Sequence, residues 1–183
     1  MVNRWPKVAQ MEKLTYSSEG FIHLTSSIAA LALGTIVLAT PKGTRLHKRL
    51  GYGYVVSMVV LNITAFMIYR LFGRFGPFHV AAIASSATLL AGIIPAIFLR
   101  HKKSWIYLHL SCMYFSVIGL YAAFASEVMT RLPGFRFWWS VAGATLIVIV
   151  LGALAYRKQS KKWIAQFGQK NQVIVRRSQN FIY

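Results

Sequence analysis

Five long apolar runs constrain this chain more than any other feature. A helix needs about 20 predominantly apolar residues to cross the hydrocarbon core of a bilayer. The runs that meet this length are Phe21–Thr40, Leu50–Phe72, Phe78–Leu99, Trp105–Val128 and Phe137–Tyr156. Helix-ending residues such as Pro41, Gly76 and Pro133 separate them, and Thr44 is placed to cap the second helix. The pattern predicts an all-α integral membrane helical bundle of five transmembrane helices with a four-helix core.

The composition excludes a soluble domain. The chain is 56% hydrophobic and 13% charged, whereas a soluble domain is typically about a quarter charged. Its charge is also one-sided, with 21 Lys and Arg against 3 Asp and Glu. Most basic residues lie between the apolar runs, so we interpret them as topology signals and lipid headgroup contacts rather than as a nucleic-acid surface. The only cysteine, Cys112, excludes an internal disulfide and a multi-cysteine metal site.

The basic residues also predict the orientation of the chain. Lys and Arg number four between the first and second runs, three between the third and fourth, and seven after the fifth. The other side of the membrane carries seven. Because cytoplasmic segments carry the excess of positive charge, we expect the N-terminus outside and the C-terminus inside. The predicted organisation is an extracytoplasmic segment over 1–20, a transmembrane domain over 21–156 and a basic cytoplasmic tail over 157–183.

Four histidines are predicted to lie in two layers. His23 and His79 lie near the outer ends of the first and third helices, and His47 and His109 near the inner ends of the second and fourth. Ionisable residues inside a membrane are costly and are default candidates for function. Neutral imidazole is the commonest metal ligand, and two histidines on facing helices suit a haem iron. We therefore predict that His23 with His79, and His47 with His109, bind haem b. The alternative is that these histidines serve only helix packing and headgroup hydrogen bonds.

A second interpretation uses two acidic residues. Glu19 precedes His23 by one helical turn, and Glu127 lies at the outer end of the fourth run. With His23 and His79 they form a candidate outer site for zinc, iron or copper. Glu127 also has a simpler candidate partner, Arg131, one turn further along the same helix.

Three blocks of sequence resemble a widespread bacterial membrane family. The stretch 47–54, His-Lys-Arg-Leu-Gly-Tyr-Gly-Tyr, is similar to the His-Arg-x-Leu-Gly-x-x-Tyr signature that opens the second helix of that family, with Lys48 in place of Arg. His23 and the segment 109–116 resemble its other blocks, although Cys112 and Phe115 stand where many members carry Trp and Arg. The likeness covers about residues 20–132. It implies a bacterial membrane protein with a core of four helices, and no activity, because the family is a domain of unknown function.

The alternation of histidines on four successive helices is similar in layout to the ascorbate-type transmembrane b cytochromes, which hold two haems and pass electrons across the membrane. This likeness implies an inner-membrane protein that relays electrons between a quinone or small reductant and a partner. The alternative is a non-enzymatic accessory or assembly subunit of a larger membrane complex. The sequence itself assigns no catalytic residue.

Overall fold

The computed structural model describes residues 18–68, 73, 75–102, 104–134 and 136–179, with side-chain surroundings described as far as residue 165. Five helices follow one another: α1 (Ser18–Ala39), α2 (Arg45–Met67), α3 (Pro77–Phe98), α4 (Trp105–Arg131) and α5 (Phe137–Gln179). Each is long and apolar enough to cross a membrane, α5 over Phe137–Ala165. The described residues contain no strand. The prediction of an all-α membrane bundle of five spanning helices is confirmed.

The helices extend beyond the apolar runs in several places. α2 begins at Arg45 rather than at Leu50, because Thr44 caps it by accepting a hydrogen bond from the backbone N–H of His47 at 3.1 Å. α4 continues beyond Val128 to Arg131, and α5 continues without a break beyond residue 156. Apolar content predicts the part of a helix that lies in lipid, whereas polar residues can continue its hydrogen bonding into water.

Two earlier predictions fall wholly or partly outside the described residues. The second helix ends at Met67, and the predicted end at Phe72 lies in the segment 69–72, which is not described. Most of the predicted extracytoplasmic segment, residues 1–17, is also outside the described ranges.

A layer of apolar side chains from α1, α2, α3 and α4 forms the core of the first four helices. Its members are Ala30, Tyr54, Met58, Leu61, Leu89, Val117 and Leu120. Tyr54 is completely buried, and its hydroxyl lies 2.8 Å from the hydroxyl of Ser116. Gly34 permits this packing, because a Cβ at that position would lie 3.0 Å from the Tyr54 ring and 3.1 Å from Val117. The ring of Tyr54 therefore occupies space that only a glycine on α1 leaves open.

The chain divides into two compact units, residues up to 123 and residues from 124 onward. The first unit contains α1, α2, α3 and most of α4; the second contains the end of α4 and α5. Within the second unit, the Ser126 hydroxyl lies 3.0 Å from that of Thr145. Large apolar side chains such as Trp139 (74% exposed) and Leu146 (64% exposed) lie on its surface. Such exposure suits contact with lipid chains.

Candidate functional site

The candidate site lies at one end of the first unit, where α1 and α3 end and α2 and α4 begin. We call this the basic end, and Lys42 is one of its residues. Lys42 follows α1, and its ammonium donates hydrogen bonds to the carbonyls of Val37 at 2.9 Å and Leu38 at 2.7 Å. These carbonyls belong to the last turn of α1, where a cation also complements the helix dipole. Burial lowers the pKa of Lys42 from 10.5 to about 8.

His109 lies on α4 at the basic end, and its Nδ1 is 2.8 Å from the backbone carbonyl of Gly92 on α3. A carbonyl only accepts hydrogen bonds, so Nδ1 carries a proton and the lone pair of the neutral ring is on Nε2. Metal-binding histidines are commonly held in this way, with the second ring nitrogen donating to a carbonyl. The orientation of His109 therefore suits a ligand at Nε2.

His47 is the third residue of α2, placed there by the Thr44 cap. Its Nδ1 is buried and has no hydrogen-bond partner among the described residues. The ring is close enough to Lys42 and His109 for electrostatic interaction with both. His47 and His109 therefore lie at the same end of the first unit, and their joint binding of haem stays a prediction.

Arg100 completes the basic end. It lies directly after Leu99, and its Nε donates to the carbonyl of Ala96 in the last turn of α3. Like Lys42, it interacts electrostatically with His109. The connecting segments 40–50 and 97–109 contain no Asp or Glu, so the cations of the basic end have no carboxylate from these segments as a counter-charge.

His23 lies at the opposite end of the first unit, on α1. Its Nδ1 is 3.0 Å from the hydroxyl of Thr64 on α2. That hydroxyl lies 2.9 Å from the carbonyls of both Val60 and Leu61, to which it donates. The Thr64 oxygen therefore accepts a hydrogen bond from His23, which attaches α1 to α2.

His79 is buried at the start of α3, and its Nδ1 accepts a hydrogen bond from the backbone N–H of Gly76 at 3.2 Å. The lone pair of Nδ1 is thereby used, so a neutral ring carries its proton on Nε2. The rings of Phe75 and Phe66 lie 5.0 Å and 6.5 Å from that of His79. In this tautomer His79 caps its own helix and offers a donor rather than a metal-binding lone pair.

Glu127 forms an ion pair with Arg131 one turn along α4, as the simpler interpretation predicted. It lies in the second unit, whereas Glu19, His23 and His79 lie in the first. Among the described residues, no group of three or more His, Cys, Asp and Glu is arranged to hold a metal ion. The outer site of Glu19, His23, His79 and Glu127 for zinc, iron or copper stays a prediction.

The sequence did not predict that the side chains of Lys42 and Arg100 are held by backbone carbonyls. Both residues were interpreted only as topology signals. A signal was present, because each follows the last turn of a helix, where cations cap free carbonyls. The Gly92 carbonyl that orients His109 is a backbone group and had no side-chain signal. Only the structure shows the role of Gly92. It packs directly against α4, since an added Cβ would lie 2.7 Å from the Met113 sulfur.

A known family accounts for most of the chain. The model of the family described as "Predicted membrane protein (DUF2306)" matches residues 20–158. The protein therefore belongs to this family of membrane proteins, as the resemblance implied. The His-Arg-x-Leu-Gly-x-x-Tyr signature and the cytochrome-like layout stay predictions. No curated protein and no solved structure matches the chain.

Proposed function

We propose that this membrane protein binds haem b at its basic end through His47 and His109 and relays single electrons. The proposal rests on the hydrogen bonding of the two imidazole rings. His109 is oriented by the Gly92 carbonyl with its lone pair on Nε2, and His47 has a buried Nδ1 that lacks a partner. A bis-histidine site needs one nitrogen lone pair from each of two helices, and the proposal takes them from His47 Nδ1 on α2 and His109 Nε2 on α4.

The surroundings of the pair suit a flat and largely apolar cofactor. The Trp105 ring lies 6.2 Å from that of His109, and the apolar core layer belongs to the same unit of the chain. When bound, haem supplies a one-electron couple. His47 and His109 would hold the group, and the Gly92 carbonyl would fix the orientation of the His109 ring, which is one of the protein's means of tuning such a couple.

The second predicted pair, His23 and His79, has less support. The lone pair of His79 Nδ1 is used by the Gly76 amide, so iron binding there would need a change of tautomer or rotamer. We therefore assign haem first to the basic end. Our proposal places that end in the cytoplasm of a bacterial inner membrane, with a quinone or small reductant as electron donor. Reporter-enzyme fusions after residue 183 would test the orientation, and a reporter active only outside the cell would refute it.

The test is a visible absorption spectrum of the detergent-purified full chain, oxidised and then reduced with dithionite. We expect a Soret band and resolved alpha and beta bands after reduction. The variants His47→Ala and His109→Ala should each lose this spectrum. The control is His101→Ala, because His101 is an exposed histidine of the α3–α4 connection and its variant should keep the haem. A colourless protein from cells with ample haem, or unchanged haem in both site variants, would refute the proposal.

A second candidate function has one observation in its favour. α5 continues as a helix beyond residue 156, where the predicted transmembrane domain ends, and its exposed residues there include Arg157, Lys158, Lys161 and Lys162. A basic helix next to the membrane suits an accessory or assembly subunit of a larger complex. A colourless protein that co-purifies with a fixed partner, and loses it when α5 is truncated after residue 156, would favour this alternative.

A further inference from the structure

We infer that α5, just beyond its membrane-spanning stretch, binds a surface of anionic phospholipid headgroups. The binding groups are four basic residues, which we call the α5 cations: Arg157, Lys158, Lys161 and Lys162. All four are exposed, and they follow residue 156 on one unbroken helix. The inference concerns the second unit alone and does not depend on haem.

The α5 cations lie together on one face of the helix. Their positions differ by one, four and five residues, so they occupy successive turns on the same side. The other side of this stretch carries Tyr156, Ser160 and Ile164, which are partly buried, and Trp163, which is 8% exposed. The helix is therefore two-sided here, and its positive charge is collected on the exposed side.

The sequence around the α5 cations supplies no acidic residue to balance them. Glu127 is the last acidic residue of the chain, and its carboxylate pairs with Arg131. Like charges one turn apart on a helix repel one another. An anionic partner from outside the chain would relieve that repulsion.

The position of the α5 cations along the helix favours a lipid surface as that partner. The apolar stretch Phe137–Tyr156 is long enough to cross the hydrocarbon core, since about 20 helical residues rise about 30 Å. The next six residues rise about 9 Å, which is close to the thickness of one headgroup layer. Tyr156 and Trp163 flank these residues, and Tyr and Trp are enriched at this level of membrane helices. Anionic headgroups attract basic segments that lie directly beside the membrane.

The test measures which lipids surround the α5 cations in the full chain. The protein is reconstituted in phosphatidylcholine vesicles that contain a minor fraction of phosphatidylglycerol. A donor fluorophore is attached through Gln159→Cys, in a Cys112→Ala background, because Gln159 is exposed and uncharged and lies among the cations. Energy transfer to phosphatidylglycerol labelled on its acyl chain is compared with transfer to phosphatidylcholine carrying the same label. The labelled lipid is present in both leaflets, so the result does not depend on the orientation of the protein.

Three variants separate a lipid-binding face from general charge. The site variant combines Arg157→Gln, Lys158→Gln, Lys161→Gln and Lys162→Gln. The charge-keeping variant combines Arg157→Lys, Lys158→Arg, Lys161→Arg and Lys162→Arg. The matched control removes four exposed positive charges from the first unit, by Arg45→Gln, Lys48→Gln, Arg49→Gln and Lys102→Gln. Far-UV circular dichroism checks that all three variants keep their helix content.

We expect the unmodified chain to favour phosphatidylglycerol by up to about fivefold, the factor that corresponds to about 1 kcal/mol for a basic residue near an anionic surface. The site variant should lose this preference, the other two variants should keep it, and added salt should weaken it. Equal losses in the site variant and the matched control would show diffuse charge and overturn the inference. No preference in the unmodified chain would also overturn it, and so would a loss in the charge-keeping variant, which would indicate a shape-specific protein partner. Haem content is not a readout, so failure here leaves the proposed function standing.

Discussion

Replacing Gly34 by alanine tests whether the core layer is as closely packed as the structure indicates. The added Cβ would lie 3.0 Å from a Tyr54 ring carbon and 3.1 Å from a Val117 methyl. Neither neighbour yields readily, because Tyr54 is fully buried with its hydroxyl held 2.8 Å from Ser116, and Val117 is 2% exposed. We therefore expect Gly34→Ala to force a shift in the packing of α1 against α2 and α4.

The magnitude follows from two opposing effects. Alanine in a helix gains up to about 1 kcal/mol over glycine, whereas overpacking of a close-packed core typically costs about 1–3 kcal/mol. Gly119→Ala is the matched control, because Gly119 lies on α4 and an added Cβ there has nothing within 4 Å. Relative to that control, Gly34→Ala should be less stable by about 1–3 kcal/mol.

The assay is reversible unfolding of the purified full chain by denaturing detergent, followed by far-UV circular dichroism. Each alanine variant adds one methyl group to the unmodified chain. The gain in helix propensity is therefore about equal in the two variants and largely cancels when they are compared. Equal stability of Gly34→Ala and Gly119→Ala would refute the reasoning. It would mean that Tyr54 can move away from α1 at little cost, and that the core layer is looser than described.

Three further predictions concern single interactions. Ser116→Ala should cost about 1–3 kcal/mol, because it leaves the Tyr54 hydroxyl buried without its hydrogen-bond partner. Tyr54→Phe should cost about 0.5–1.5 kcal/mol, and the reverse order in the same unfolding assay would contradict this. Because the pKa of Lys42 is lowered to about 8 in the folded protein, the unfolded chain binds more protons between about pH 8 and 10.5. The free energy of unfolding should therefore rise with pH across this window, and Lys42→Gln should flatten that rise. Glu127→Gln should change stability by less than about 0.5 kcal/mol, since the Glu127–Arg131 pair is about half exposed, and a larger loss would show that the pair is not isolated.

The sequence predicted the number of helices, because lipid sets one length for every span. It also predicted the starts of α4 at Trp105 and α5 at Phe137, because Ser104 precedes the first of these runs as a candidate cap and Pro133 and Gly134 interrupt the chain before the second. It failed at the start of α2 and along α5, since residues such as Arg45 and Arg157 form helices as readily as leucine does. Apolar content therefore predicts which residues contact the membrane better than it predicts where a helix begins or ends.

The candidate site was predictable only in part, for a similar reason. Spacing along the chain was enough to group His47 with His109 at one end of the bundle. It could not distinguish the tautomers of His109 and His79, because these depend on backbone groups at Gly92 and Gly76. The two histidine layers were equivalent in the sequence, and their hydrogen-bond partners make them different in the structure.

That difference bears on which kind of process the bundle can support. The basic end and the His23–Thr64 contact are separated along α2 by Tyr54, Met58 and Leu61, all of them buried. A proton path needs a continuous series of groups that exchange protons, or water between them. In this layer the Tyr54 hydroxyl is hydrogen-bonded to that of Ser116, and the side chains of Met58 and Leu61 have no exchangeable proton. Apolar side chains of this kind oppose the passage of a proton or ion along this face of α2. The proposed haem at the basic end needs no such path, so this layer is compatible with the proposed electron relay.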